Sequence, residues 1–298
     1  MALPDFVVIG AQKSASTFIQ FCLADHPQIF MPYGETSFFE SIDYPSKYQE
    51  SLEVIFQNRK EKILGIKRPD YLTNPKVPRR INSLIPNAKL IAILRNPVDR
   101  FVSAYYHYMR YGFIPIEEPE IGIKKILDNQ YQCSYKRAQE IIDYGFYYKG
   151  LQGYLDIFEE SHILIILHED IIANKHDVTK IIYKYLDVHE EYVPSSIGHR
   201  PMSVVYNLSR LKFLRAGNSL VYQYNDEKTR LWKRKNILAS AISYTLKSFD
   251  SVILSKVFAS EKPSLSKIIR SELIDLYKDD IQALQKLINR DLSSWMKI

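Results

Sequence analysis

The 298-residue chain is short of the residues that build several common kinds of site. Its two cysteines, Cys22 in an apolar helical segment and Cys133 far away, supply neither a disulfide framework nor a metal-ligand spacing, so a reduced compartment is expected. Seven histidines include no H-E-x-x-H, and no G-x-S-x-G elbow or EF-hand loop is present. Protease, esterase and metalloenzyme readings lose their usual support. There is no internal repeat or low-complexity tract, and no run approaches the roughly 20 consecutive apolar residues of a membrane span. The N-terminus reaches its first strand without the charged region, apolar core and cleavage site of a leader. A soluble, cytoplasmic protein without a membrane span is the expectation.

Acid is also in deficit. Lys and Arg number 40 against 34 Asp and Glu, a net charge of +6, and the pI is near 9.0. That balance suits an anionic ligand, and it equally suits simple solubility. Hydrophobic residues make up 46% of the chain, enough for a full core, and one domain with insertions is the simplest organisation at this length.

What is present is concentrated at the start. Phe6 to Ile9 is a short apolar, β-branched run, followed at once by Gly10-Ala-Gln-Lys13-Ser-Ala-Ser16-Thr17 and then by apolar positions at helical spacing. Strand, tight loop and helix are predicted. Such a loop faces the unpaired N–H groups and positive end of a helix, which is where phosphate-like anions bind. Lys13 adds a full charge, and Ser14, Ser16 and Thr17 add hydroxyls. A nucleotide P-loop would carry glycines at positions 7 and 12, which hold Val7 and Gln12. Taken alone, the stretch reads equally well as a polar turn with an N-cap serine and a solvated lysine.

Further along, Glu35-Thr-Ser-Phe38-Phe39-Glu40 follows a loop-like segment from Gln28 to Gly34. The two phenylalanines are expected to anchor it in the core and hold Glu35 near the first loop; a solvated loop carboxylate is the alternative. Strands are predicted at Ile63–Lys67, Lys89–Leu94 and Ile163–Leu167, with helices over 46–57, 77–85, 147–158 and 174–186 and helical pieces over 121–142. The continuous apolar strands and the alternation with helices predict a parallel sheet between helical layers. Lys67-Arg68-Pro69-Asp70-Tyr71 and Arg95-Asn-Pro-Val-Asp99 then stand at strand ends, on the edge where ligands bind in open α/β sheets. Ser103 falls about a turn and a half into a helix begun near Pro97. An arginine fork and a hydroxyl can together grip a phosphate, although Arg95 could instead pair with Asp99. The last third shows no strand. Residues 207–247 carry nine Lys or Arg against Asp226 and Glu227, with Tyr222, Tyr224 and Trp232 interleaved: a solvated face, or a lid attracting a glycan or an anionic lipid. A long helix over 264–288 closes the chain, with Leu265, Ile268, Ile269, Leu273 and Leu276 as its buried stripe.

Four of these segments, in this order, resemble the sulfotransferases that use 3′-phosphoadenosine 5′-phosphosulfate (PAPS), above all the heparan-sulfate and other carbohydrate-type members. Gly10 to Thr17 is similar to their 5′-phosphosulfate loop, with Ala15 in place of a usual glycine. Arg95 to Ser103 is similar to their 3′-phosphate motif, with the same eight-residue separation. Glu35-Thr-Ser-Phe-Phe-Glu is similar to the segment carrying the proposed catalytic base, and Lys67-Arg-Pro-Asp-Tyr71 to the one whose lysine lies at the reaction centre. The likeness covers about residues 5–110, continues loosely to 186 and then fades.

The resemblance implies a three-layer α/β sandwich with a central parallel sheet, the P-loop-NTPase-like sulfotransferase fold. It implies one domain over 1–298, with a donor-binding core at 5–190 and a mainly helical part at 191–298. It implies PAPS as donor, its 3′,5′-bisphosphate (PAP) as product and no metal. Glu35, Lys13 and Lys67 would be catalytic, and Gln12, Lys13, Ser14, Ala15, Ser16, Thr17, Arg95 and Ser103 would hold the donor. Arg200 is a candidate for the late loop that touches the 3′-phosphate, as is the Glu261-Lys262-Pro263 turn. The acceptor would be a hydroxyl or amine on a carbohydrate or glycoconjugate; a small metabolite, a carrier-bound intermediate and a P-loop-like kinase activity are the alternatives. Eukaryotic carbohydrate members carry an N-terminal anchor, so a soluble, bacterial-type member is expected, with no nucleic-acid partner and with peripheral membrane contact left open.

Overall fold

The computed structural model describes residues 3–45, 49–198, 204–227, 231–234, 236–258 and 261–298. His199, Arg200 and Pro201, and with them the Arg200 assignment, lie outside the described residues.

Five strands form one parallel sheet: β1 (Phe6–Gly10), β2 (Ile29–Phe30), β3 (Ile63–Lys67), β4 (Lys89–Leu94) and β5 (Ile163–Leu167), in the order β2-β3-β1-β4-β5. All four pairings are parallel, with Phe6 opposite Gly65 and Lys89, and Ala92 opposite Ile165. Every residue of β1 is buried, which the Phe-Val-Val-Ile-Gly sequence suits because both sheet faces are covered. Gly65 is required by this register: a Cβ there would lie 2.0 Å from the Phe6 ring. The loop-like reading of Gln28–Gly34 missed β2, a two-residue edge strand held by Ile29–Ile63 and Phe30–Leu64 pairing. So short a strand leaves no periodicity to read.

The helices are α1 (Ser16–Asp25), α2 (Gln49–Phe56), α3 (Val77–Leu84), α4 (Pro97–Arg110), α5 (Pro119–Leu127), α6 (Glu140–Asp143), α7 (Tyr147–Leu155), α8 (His168–Ala173), α9 (Lys175–Tyr185), α10 (Leu208–Val221), α11 (Ile237–Phe249), α12 (Ser255–Val257) and α13 (Lys267–Ile288). The chain divides into two compact units, residues 1–100, 146–202 and 279–295 in one and 101–145, 203–278 and 296–298 in the other. The first unit contains the sheet. Its core packs Phe18, Ile19, Cys22 and Leu23 of α1 and Val178, Ile182 and Tyr183 of α9 against Val8, Ile91, Ile93 and Ile166. Burying side chains of this size contributes roughly 1.5–3 kcal/mol each.

The second unit is helical, with one addition that the sequence reading excluded. β6 (Tyr222–Tyr224) and β7 (Leu231–Lys233) form an antiparallel hairpin inside the basic stretch. Tyr224 donates to the Tyr111 carbonyl at 2.6 Å, so its partners lie far off in sequence. Part of the basic stretch is structural, too. Arg210 is buried against Asp250, with Nε–Oδ1 and Nη2–Oδ2 both 2.9 Å.

Two further expectations are corrected. Of the stripe expected on α13, Ile269 and Leu273 are buried, and Ile274, Tyr277, Ile281 and Leu284 join them, whereas Ile268 is exposed and Leu265 and Leu276 are half-buried, because the inward face also takes in Tyr277 and lies to one side of the expected line. The sequence reading found no segment approaching a membrane span, yet Ile237–Val257, a continuous helical run of 21 residues, is long and apolar enough by length and composition. Serines, a threonine, Lys247 and Asp250 interrupt it and had masked the average.

Candidate functional site

In a parallel sheet every strand presents its C-terminal end on one edge, and the singled-out segments of the first unit leave from there. β1 runs into the Lys13 loop, β3 into Lys67-Arg68, β4 into Arg95 and β5 into His168. β1 is flanked by β3 and β4, so the chain departs from its two sides in opposite directions, opening a crevice above it.

The first loop is built to expose backbone donors. Lys13 and Ala15 adopt left-handed φ values of 67° and 72°. Left-handed residues at alternate positions favour the inward-facing run of N–H groups that makes an anion nest. Ala15, not a serine, is the N-cap of α1, and no side chain caps that end. Its first-turn N–H groups and dipole therefore fit an oxyanion, as a bound donor's sulfuryl or phosphate would need. Ser14 and Ser16 are buried, Gln12, Lys13 and Ala15 half-buried and Thr17 exposed. Gln12 donates to Asp70 Oδ1 at 3.4 Å.

The second motif meets the first. Arg95 Nη1 lies 3.2 Å from the Lys13 carbonyl, 82 residues back, so the end of β4 braces the loop that follows β1. Asn96 accepts from the Val98 N–H at 3.0 Å and starts α4. Ser103 is buried in α4 and belongs to the second unit. Two residues that sequence reasoning passed over stand beside Arg95. Burial, helped by the charge of Arg95, lowers the His168 pKa to about 4, so it is neutral at physiological pH. Burial pushes the Tyr147 phenol up to about 12 against the opposing charge of Arg100. Their signal was position: one follows directly on a parallel strand, the other opens a helix after Gly145 and Phe146.

Glu35 is placed by an unusually complete set of contacts. Gln20, buried on α1, donates to the carbonyls of Pro32 at 2.8 Å and Gly34 at 2.7 Å. Gly34 has φ 100°, a turn that a side chain would strain. The Thr36 N–H donates to the Lys67 carbonyl at 3.0 Å. Phe38 and Phe39 are buried edge to face with ring centroids 4.8 Å apart, as expected of anchors. The buried Tyr71 hydroxyl donates to the Thr36 carbonyl and accepts from the Phe39 N–H at 3.0 Å.

The Glu35 carboxylate thereby sits 2.7 Å from Arg68 Nη1 and 3.6 Å from Lys67 Nζ. Lys67 is 3% exposed and donates to Thr17 Oγ1 at 3.1 Å, so it joins Glu35 to the first loop. Burial lowers its pKa and Glu35 opposes that shift. Arg68, to which the sequence reading gave no role, is the hub: its Nη2 also contacts Glu40 at 2.6 Å and Asp70 at 2.9 Å. Burial disfavours its charge, but Asp70, Glu40 and Glu35 outweigh that and raise its pKa. Burial raises the Glu40 pKa, with Arg68 opposing. The result is an anion loop, an arginine brace, a buried lysine and a held carboxylate on one sheet edge. Such a group can bind a multiply charged donor and take a proton nearby.

The chain is similar to known proteins. Residues 3–230 match the sulfotransferase domain family. A bifunctional heparan sulfate N-deacetylase/N-sulfotransferase of Caenorhabditis elegans is 26% identical over 204 residues, covering 67% of this chain and 24% of its own. The chain thus spans about a quarter of the length of the curated relatives first matched. A sulfotransferase from Alicyclobacillus acidocaldarius has a similar fold at TM-score 0.70 and 21% identity, with both chains covered in full. Mouse sulfotransferase SULT7A1, solved with PAP, has a TM-score of 0.50 at 14% identity, over 95% of this chain and 86% of that one. With the domain match spanning most of its length, the chain belongs to the sulfotransferase family.

Proposed function

We propose that this chain moves the sulfuryl group of PAPS to a hydroxyl or amine of a carbohydrate or glycoconjugate. The observation that carries the reading is the 3.2 Å contact of Arg95 with the Lys13 carbonyl, which joins the two anion motifs at one sheet edge. The heparan-sulfate enzymes among the relatives favour a sugar acceptor.

Glu35 takes the proton of the acceptor as its oxygen or nitrogen bonds to sulfur, and the bond from sulfur to the 5′-phosphate oxygen breaks. Lys13, Lys67 and the loop N–H groups neutralise the charge that builds on that leaving oxygen. Ser14, Ser16 and Thr17 line the 5′ end with Gln12 and Ala15. Arg95 selects the 3′-phosphate, and Ser103, eight residues on, is assigned with it on the family's spacing. Arg68 touches neither donor nor acceptor; it positions Glu35.

The test pairs transfer with binding. The full chain is incubated with radiolabelled PAPS and N-desulfated or unsulfated heparan chains, and PAP binding is followed by calorimetry. Label should enter the glycan, and Arg95→Ala should weaken PAP while leaving the weaker binding of a nucleotide without the 3′-phosphate almost unchanged. No transfer to any glycan would remove the acceptor class; equal weakening of both nucleotides would remove the Arg95 assignment.

A further inference from the structure

The second unit carries an apolar surface that sulfuryl transfer does not use. Along the helical run from Ile237 to Val257, the side chains of Leu238, Ile242, Phe249 and Ile253 recur at spacings of four, seven and four, and all are exposed. Ile237 is 87% exposed and Leu238 76%. Only 11% of the most apolar window of this run is buried. Scattered exposed apolar residues need no explanation, but a contiguous stripe of this length does.

The flank about a quarter-turn round the run is tied down, and the Phe249 ring at its edge stands 6.0 Å from the Phe213 ring of α10. Ser243 and Asp250, seven residues apart, are buried. Asp250 takes the bidentate grip of Arg210 from α10, and Leu246 lies so close to α10 that a Cβ on Gly217 would come within 3.2 Å of it. A helix fastened in this way along one flank, with a buried ion pair at its middle, lies on a surface rather than crossing it.

Charge selects the surface. Asp250 is the sole acid between Leu231 and Phe258, and Arg210 neutralises it. Lys233 at the end of β7 and Arg234 just after it, with Lys247 and Lys256 on the run, give this segment an excess of positive charge, and Trp232 of β7 is half-exposed. An apolar stripe, an excess of positive charge and an amphipathic aromatic together match the acyl boundary, anionic headgroups and interface of a bilayer. We infer that this stripe docks the second unit on an anionic lipid surface, as a monotopic contact.

The experiment is co-sedimentation of the full chain with phosphatidylcholine vesicles, with and without phosphatidylserine. Binding is expected to the anionic vesicles and to weaken sharply between about 0.1 and about 1 M salt, as the Debye length falls from about 10 to about 3 Å. Lys233→Ala with Arg234→Ala should weaken it roughly 30-fold, at about fivefold per charge. Leu238→Asp with Ile242→Asp should weaken it tenfold or more. Both changes fall on exposed positions, so an unchanged melting curve and unchanged PAP affinity certify the fold. Absence of binding, binding indifferent to phosphatidylserine, or resistance to alkaline carbonate extraction would each overturn the proposal. So would a concentration-dependent dimer in ultracentrifugation that Leu238→Asp dissolves, because a second copy would then cover the stripe.

Discussion

Arg68→Met gives the sharpest test of how the site is held. The substitution keeps much of the aliphatic stem and removes the guanidinium that contacts Glu35, Glu40 and Asp70 at 2.7, 2.6 and 2.9 Å. The Glu40 and Asp70 side chains are only 20% and 11% exposed, so their charges would stand largely desolvated and uncompensated. Breaking a buried pair from one side costs about 3–5 kcal/mol, and partial access of water places this case near about 3 kcal/mol. For a chain of this size that is a fall of about 6–12 °C in melting temperature. The sign with pH follows from Glu40. Burial already raises its folded pKa, and loss of Arg68 removes the opposing influence. An acid whose folded pKa exceeds its unfolded one is stabilised in the fold by its proton, so the deficit is full above the folded pKa and shrinks as pH falls through it. Thermal melts at about pH 8 and about pH 5 should therefore converge toward wild type at the lower pH, and adding Glu40→Gln should recover part of the loss. If Arg68→Met melts with wild type at both pH values, the hub does not stabilise the fold.

Glu35→Gln should lower turnover by about 10²- to 10⁴-fold while calorimetry finds PAP affinity preserved; wild-type turnover would remove Glu35 from proton transfer. Tyr71→Phe leaves the buried Phe39 N–H without its acceptor, so denaturant unfolding should report a loss of about 1–3 kcal/mol, with kcat falling as the Glu35 loop loosens. Burial lowers the Lys67 pKa, so the alkaline limb of the kcat/KM profile should set in below the ordinary lysine value of about 10.4. A limb at or above that value would contradict the assignment of its charge to catalysis.

Much of this was legible in the sequence because parallel strands buried on both faces advertise themselves as apolar runs, and whatever follows them must stand on one edge. Lys13, Lys67 and Arg95 were placed by that rule alone, and their spacing supplied the family likeness. Arg68 escaped because its importance is geometric: Glu35, Glu40 and Asp70 converge on it only when the Tyr71 hydroxyl folds the 36–39 loop against β3. The β6–β7 hairpin escaped because its short strands take their packing from Tyr111 and Phe113, far away in the chain. The exposed stripe of the 237–257 run escaped because serines, a threonine, Lys247 and Asp250 interleave with it and dilute its hydropathy.

Gln20 sits one turn beyond Ser16, so the rod that would meet the donor at its tip also grips Pro32 and Gly34 with a side chain. The anion loop and the segment that leads to the carboxylate are thereby fastened to one and the same helix, through two amide hydrogens of a single side chain.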